Sequence, residues 1–113
     1  MLVNVNSMRP VLEGLMERLE PGLPGSALSE ILNRLLWVTD DNGSDVVTVC
    51  REWLASGDQR RVEAALSIED SWLYDDRHEL AARLTLVREQ WPQLAPRVEE
   101  ILHAYDRRLE GPR

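Results

Sequence analysis

Apolar residues return every three or four positions along almost the whole chain, and no segment sustains an alternation of period two. That pattern is the strongest constraint on the fold, because only a helix brings such residues onto one face. Met8, Val11, Leu12, Leu15, Met16 and Leu19 form the first such face, with Ser7 as the expected cap and Pro21-Gly22 as the stop. Ser26 is the expected cap of a second helix, with Glu30 in its first turn and Leu28, Ile31, Leu32, Leu35 and Leu36 inward. A DDNG turn follows. Ser44 is the expected cap of a third helix carrying Val46, Val47, Cys50, Trp53 and Leu54, closed by Gly57. Val46 to Val49 is the only β-branched run, and the apolar face downstream places it in this helix.

Asp58 is the expected cap of a fourth helix bearing Val62, Ala65 and Leu66. Asp76 with Glu79 three residues later reads as a capping box for a fifth, with Leu80, Leu84, Val87 and Trp91 on one side. Pro92 ends it, because proline breaks the hydrogen-bond ladder. Pro96 suits the start of a sixth, with Val98, Ile101, Leu102, Tyr105 and Leu109 inward. The expectation is an all-α single domain over residues 1–113, of five or six short helices packed as antiparallel hairpins, a bundle or a short α-solenoid. An echo between Arg51-Glu52-Trp53 with Arg61–Leu66 and Arg88–Trp91 with Arg97–Leu102 fits a duplicated hairpin or a chance recurrence of helix-forming residues. Trp37, Trp53 and Trp91 are expected in or near the core.

The charge is unevenly placed. The net charge is −7. Asp40, Asp41 and Asp45 in one short stretch, and Glu69, Asp70, Asp75 and Asp76 in another, account for all of it; the 13 arginines balance the remaining acids. Local acidity favours a basic partner and opposes direct nucleic-acid binding. The second stretch, EDSWLYDD, also holds Trp72 and Tyr74. One reading tucks these rings under a corner between helices. The other makes them the buried centre of an interface, since Trp, Tyr and Arg dominate interface hot spots and a surrounding acidic rim speeds the approach of a basic partner.

Catalytic constellations are missing. His78-Glu79 opens an HExxH pattern, but Ala82 stands where the second histidine is needed. The only other histidine is His103. Gly22-Leu23-Pro24-Gly25 is a turn and not a phosphate cradle. Cys50 lies on an inner face, and a single cysteine forms no internal disulfide. The expectations are no enzyme, no cofactor, no metal and no membrane span, the longest apolar run being Leu35–Val38. The opening MLVNVNSMRP lacks a basic region followed by an apolar one, so a cytoplasmic location is expected.

The run Arg51–Asp58, then Val62-Glu63-Ala64-Ala65-Leu66, the acidic aromatic turn, and Trp91-Pro92-Gln93-Leu94 resembles the small helical immunity proteins of bacterial contact-dependent growth inhibition systems. The resemblance covers roughly residues 50–102. It implies a protein that holds the toxic C-terminal domain of a cognate delivery protein and blocks it. Many such toxins are nucleases with basic substrate-binding surfaces, which an acidic aromatic patch would cover. Charge and aromatic content, not the resemblance, nominate the contact residues: Glu69, Asp70, Trp72, Tyr74, Asp75 and Asp76, with Asp40, Asp41 and Asp45 as a second contact or rim. On this expectation Trp72→Ala would mainly speed dissociation. The alternatives are a helical adaptor or secretion chaperone using an apolar groove, a nucleic-acid mimic, whose acids would be spread over one long face instead of two turns, and an enzyme built around His78 or His103 with a carboxylate.

Overall fold

The computed structural model describes residues 5–38, 43–69 and 71–110, with the side chains of Val5, Asn6, Leu109 and Glu110 outside the description. The described residues are all-helical and contain no strand. In chain order they form α1 (Val5–Arg18), a 3-10 turn (Gly25–Leu28), α2 (Ser29–Val38), α3 (Ser44–Leu54), α4 (Gln59–Leu66), α5 (Arg77–Gln90), a second 3-10 turn (Pro92–Leu94) and α6 (Ala95–Glu110). They fall into two compact units, Met1–Leu73 and Tyr74–Arg113. The break lies inside the acidic aromatic stretch.

In the first unit α3 is the central helix, packed against α1, α2 and α4. It buries Val46, Val47, Val49, Cys50, Trp53 and Leu54. Leu12 from α1, Leu32 from α2 and Val62 and Leu66 from α4 are equally enclosed. Each side chain of this size contributes roughly 1.5–3 kcal/mol of transfer free energy when buried. Three starts differ from the expected ones. Ser26 lies inside the first 3-10 turn, and α2 begins at Ser29. Ser7 lies inside α1, which begins at Val5 and carries Pro10 within it. Gly43, not Ser44, precedes α3, in the left-handed region at φ +80°. A Cβ there would meet Leu36 Cδ2 at 2.4 Å, so conformation and space both select glycine. Asp58 caps α4 as expected, accepting from the Arg61 amide at 3.1 Å, and Gly57 before it also has positive φ.

Polar pairs tie the helices together across the surface. Glu13 on α1 accepts from Trp53 Nε1 at 2.9 Å and from Arg61 Nε and Nη2 at 3.1 and 2.5 Å. Arg61 Nη1 also donates to Asp58, and Arg9 grips Glu52 with two bonds of 2.8 and 2.6 Å. The hydrogen bonds from Arg61, then that from Trp53, hold the Glu13 carboxyl below its ordinary value of 4.5, against a desolvation cost. A group with a lowered folded pKa stabilises above its unfolded value, and that contribution disappears as pH falls through the folded one. Urea midpoints should therefore hold steady down to about pH 5 and drop below about pH 4. Glu13→Gln should lower the neutral-pH midpoint and flatten the acid limb, although Glu52 and Asp106, lowered by Arg9 and Arg77, keep part of it. An acid limb as steep in the variant as in the parent would show that Glu13 is not part of the acid response.

The second unit is a helical hairpin. Asp76 caps α5 by accepting from the Glu79 amide at 2.8 Å. Pro92 ends α5 and opens the 3-10 turn, and Pro96 sits in the first turn of α6. Leu80, Leu84 and Val87 of α5 are buried, as are Val98, Ile101 and Tyr105 of α6. Arg77 joins Asp106 across the hairpin at 2.7 and 3.1 Å.

Candidate interaction surface

Helix α2 is amphipathic. Leu32 and Leu36, continuing from Leu28 of the preceding turn, are buried. Glu30, Arg34 and Trp37 stand three or four residues apart on another side, so they share a face. The indole of Trp37 is 72% exposed and Val38 65% exposed, with Ile31 at 44% nearby on the helix. This corrects the expectation that Trp37 belongs to the core. Leu36 takes the inward position, and the following residue is turned about 100° away from it.

A groove of about 400 Å³ runs along this face, walled by α2 from Ser29 to Val38 and, on the other side, by Glu69. Asn33 builds that second wall. Its Oδ1 accepts from the Glu69 amide at 2.8 Å, while its Nδ2 donates to the carbonyls of Ser29 and Ser67 at 2.9 and 3.2 Å. Ser29 Oγ adds a bond of 3.3 Å to the Ser67 carbonyl. The chain leaving α4 is thus strapped to α2, and one end of the second acidic stretch lies in the groove beside Trp37. Asp40 and Asp41, which follow Val38 closely in sequence, and Asp70 lie outside the described residues. Asp45 is half-buried in the first turn of α3.

The charges in this groove are not ion-paired, which is also true of Glu17, Arg18, Glu89 and Arg107 among the described residues. Glu30, Arg34 and the Glu69 carboxylate form no ion pair or side-chain hydrogen bond among the described residues, although Glu30 and Arg34 are four apart on one helix. On α6 the comparable charges are already engaged: Glu99 with Arg88 at 2.5 Å and Glu100 with Arg97 at 3.7 Å. A hollow along α6 past His103 is lined by such residues.

The remaining nominated residues divide between the units. Trp72 is half-buried, and next to it Leu73 is buried, its carbonyl accepting from Arg51 Nε. In the second unit Tyr74 is half-buried with the Arg83 guanidinium 5.8 Å from its ring centre. The Asp75 carbonyl accepts from the Tyr105 hydroxyl, leaving its carboxylate exposed. Asp76 spends one carboxylate oxygen on the α5 cap. Part of the acidic aromatic stretch is therefore structural, and its Glu69 end is the part that joins an exposed aromatic within one unit.

Chemistry is sparse. Cys50 is enclosed, and burial pushes its thiol up to about 12, far from a reactive thiolate. Among the described residues no group of three or more His, Cys, Asp or Glu side chains is placed to hold a metal ion. His78 and His103 are both exposed. Among the described residues no helix is long and apolar enough to cross a membrane. No protein-family model, curated protein or solved structure matches the chain.

Proposed function

We propose that the protein is an inhibitory binding protein, an immunity protein that neutralises a basic bacterial toxin domain by covering its active or substrate-binding surface. The observation that carries this reading is the α2 groove, lined by the exposed Trp37 and Val38 and by two carboxylates, Glu30 and Glu69, against the single cation Arg34, none of the three charges being ion-paired among the described residues. An apolar centre with an unneutralised acidic margin suits a partner that is basic around an apolar contact. The concentration of the chain's net charge in two short stretches supports the same partner. Inhibition would work by occlusion: carboxylates occupy the arginines and lysines that otherwise hold substrate phosphates, and Trp37 anchors the contact.

A second reading, a helical adaptor or secretion chaperone, is favoured by the exposed apolar residues of α2: Trp37, Val38 and Ile31. Salt separates the two. Tagged protein should capture one basic toxin domain at low salt and lose much of it at high salt, and adding the protein back should abolish that domain's toxic activity. Capture of a secretion component that resists high salt would overturn the immunity reading in favour of the adaptor.

A further inference from the structure

Residues 67–69 leave α4 and belong to no helix, so the Ser67 carbonyl and the Glu69 amide need partners outside a helical ladder. Asn33 supplies both: its Oδ1 accepts from the Glu69 amide at 2.8 Å, and its Nδ2 donates to the Ser67 carbonyl at 3.2 Å. The same Nδ2 donates to the Ser29 carbonyl at 2.9 Å, one turn back, which fixes the carboxamide on its own helix. Ile68, between the two clamped groups, is buried, whereas Glu69 is exposed and lines the groove. The backbone at Glu69 is therefore held while the residue meets solvent. Asparagine is the side chain of this length that both donates and accepts; an ionised aspartate would only accept, and would set its charge against two carbonyls.

We propose that Asn33 is a positioning residue for partner binding: it clamps the chain at Glu69 against α2, and it acts on the partner through Glu69. The inference rests on the basic-partner reading above and assigns the ordering of one groove wall to a single carboxamide. A loop that is ordered only on binding costs affinity, and a loop held beforehand does not. The clamp is local. It secures three residues at the exit of α4 and is not part of the buried apolar contacts of α3, so its loss should release the wall and leave the helices in place.

The first half of the test needs no partner. In the intact ¹⁵N-labelled protein the Glu69 amide should be protected from hydrogen exchange although the residue is exposed. Asn33→Ala, which suits a helix better than asparagine, should remove about tenfold of that protection and leave the Cys50 and Trp53 amides of α3 unchanged. An unprotected Glu69 amide in the parent, or an equal loss of protection in α3, would overturn the proposal. The second half is a double-mutant cycle on the toxin domain that the tagged protein captures. Asn33→Ala and Glu69→Gln should each weaken binding by up to about fivefold, and the double variant no more than either alone, because a Glu69 that is already displaced has little left to lose. Additive losses, or an Asn33→Ala variant that binds as the parent does, would overturn the positioning role and leave the immunity reading standing. If the captured partner is instead a salt-resistant secretion component, the immunity reading falls, and the same cycle on that component decides the role of Asn33.

Discussion

Gly25→Ala should cost about 3 kcal/mol or more, the upper range for forcing atoms into a packed site. Gly25 opens the 3-10 turn that lies on α4. A Cβ built there would stand 1.7 Å from the Arg60 carbonyl oxygen and 2.9 Å from the Ala64 amide nitrogen. Both are backbone atoms inside a helix, so no rotamer change relieves the overlap; the turn must lift away. Lifting it stretches the bond from the Gly25 amide to Glu63 at 2.9 Å and that from Arg60 Nη2 to the Glu20 carbonyl at 2.8 Å. It also loosens Leu28, which the turn inserts into the core. Against a typical total of 5–15 kcal/mol this is a large loss. A urea titration should show a clearly lower midpoint, with amide exchange in α4 accelerated. Gly14→Ala is the matched control. It lies inside α1 with nothing within 4 Å of its Cβ position, so it should stabilise by roughly 0.5–1 kcal/mol. Equal midpoints for the two variants would show that the turn does not approach α4 this closely in solution.

What the sequence discloses follows from the range of the forces involved. The all-helical class was legible because periodicity is a local property. The caps at Asp58 and Asp76 were legible because donor and acceptor lie three residues apart. The start of α3 was placed one residue late, because a serine advertises a cap while the fit of Gly43 against Leu36 is tertiary. Gly25 reads as an ordinary loop glycine, since the helix that excludes a side chain there comes 35 residues later. The Asn33 strap was invisible for the same reason, its partners lying 34 and 36 residues away. Trp37 carried a signal that hydrophobicity masked. On a wheel it falls with Glu30, Asn33 and Arg34, not with Leu32 and Leu36, and that polar company marks an outward face. The acidic aromatic stretch reads as one patch in sequence. The boundary between Leu73 and Tyr74 assigns its halves to different units, with Asp76 as a cap in the second.

Trp37→Ala and Trp72→Ala should therefore separate binding from stability. Trp37 is 72% exposed, so removing its ring takes little from the folded state that the unfolded state lacks, and the urea midpoint should stay within about 0.5 kcal/mol of the parent. In the proposed complex the same ring would be desolvated, and an aromatic anchor of this kind costs about 2 kcal/mol or more when truncated, roughly a thirtyfold loss of affinity. The loss should lie mainly in faster dissociation, because packing is lost while the acidic margin that guides approach is intact. Trp72 is half-buried beside the enclosed Leu73, so its truncation should lower the urea midpoint by more than Trp37→Ala does. Surface plasmon resonance against the captured partner, paired with urea titrations of both variants, reads the two effects separately. If Trp72→Ala speeds dissociation and Trp37→Ala leaves it unchanged, the contact runs through the acidic aromatic stretch itself and the α2 groove is not the docking surface. The salt dependence of association supplies the complementary reading. Arginine substitutions at Glu69 and Glu30 should slow association most at low ionic strength, since exposed charges act over a Debye length of about 10 Å at 0.1 M salt. Trp37→Ala should leave that dependence unaltered.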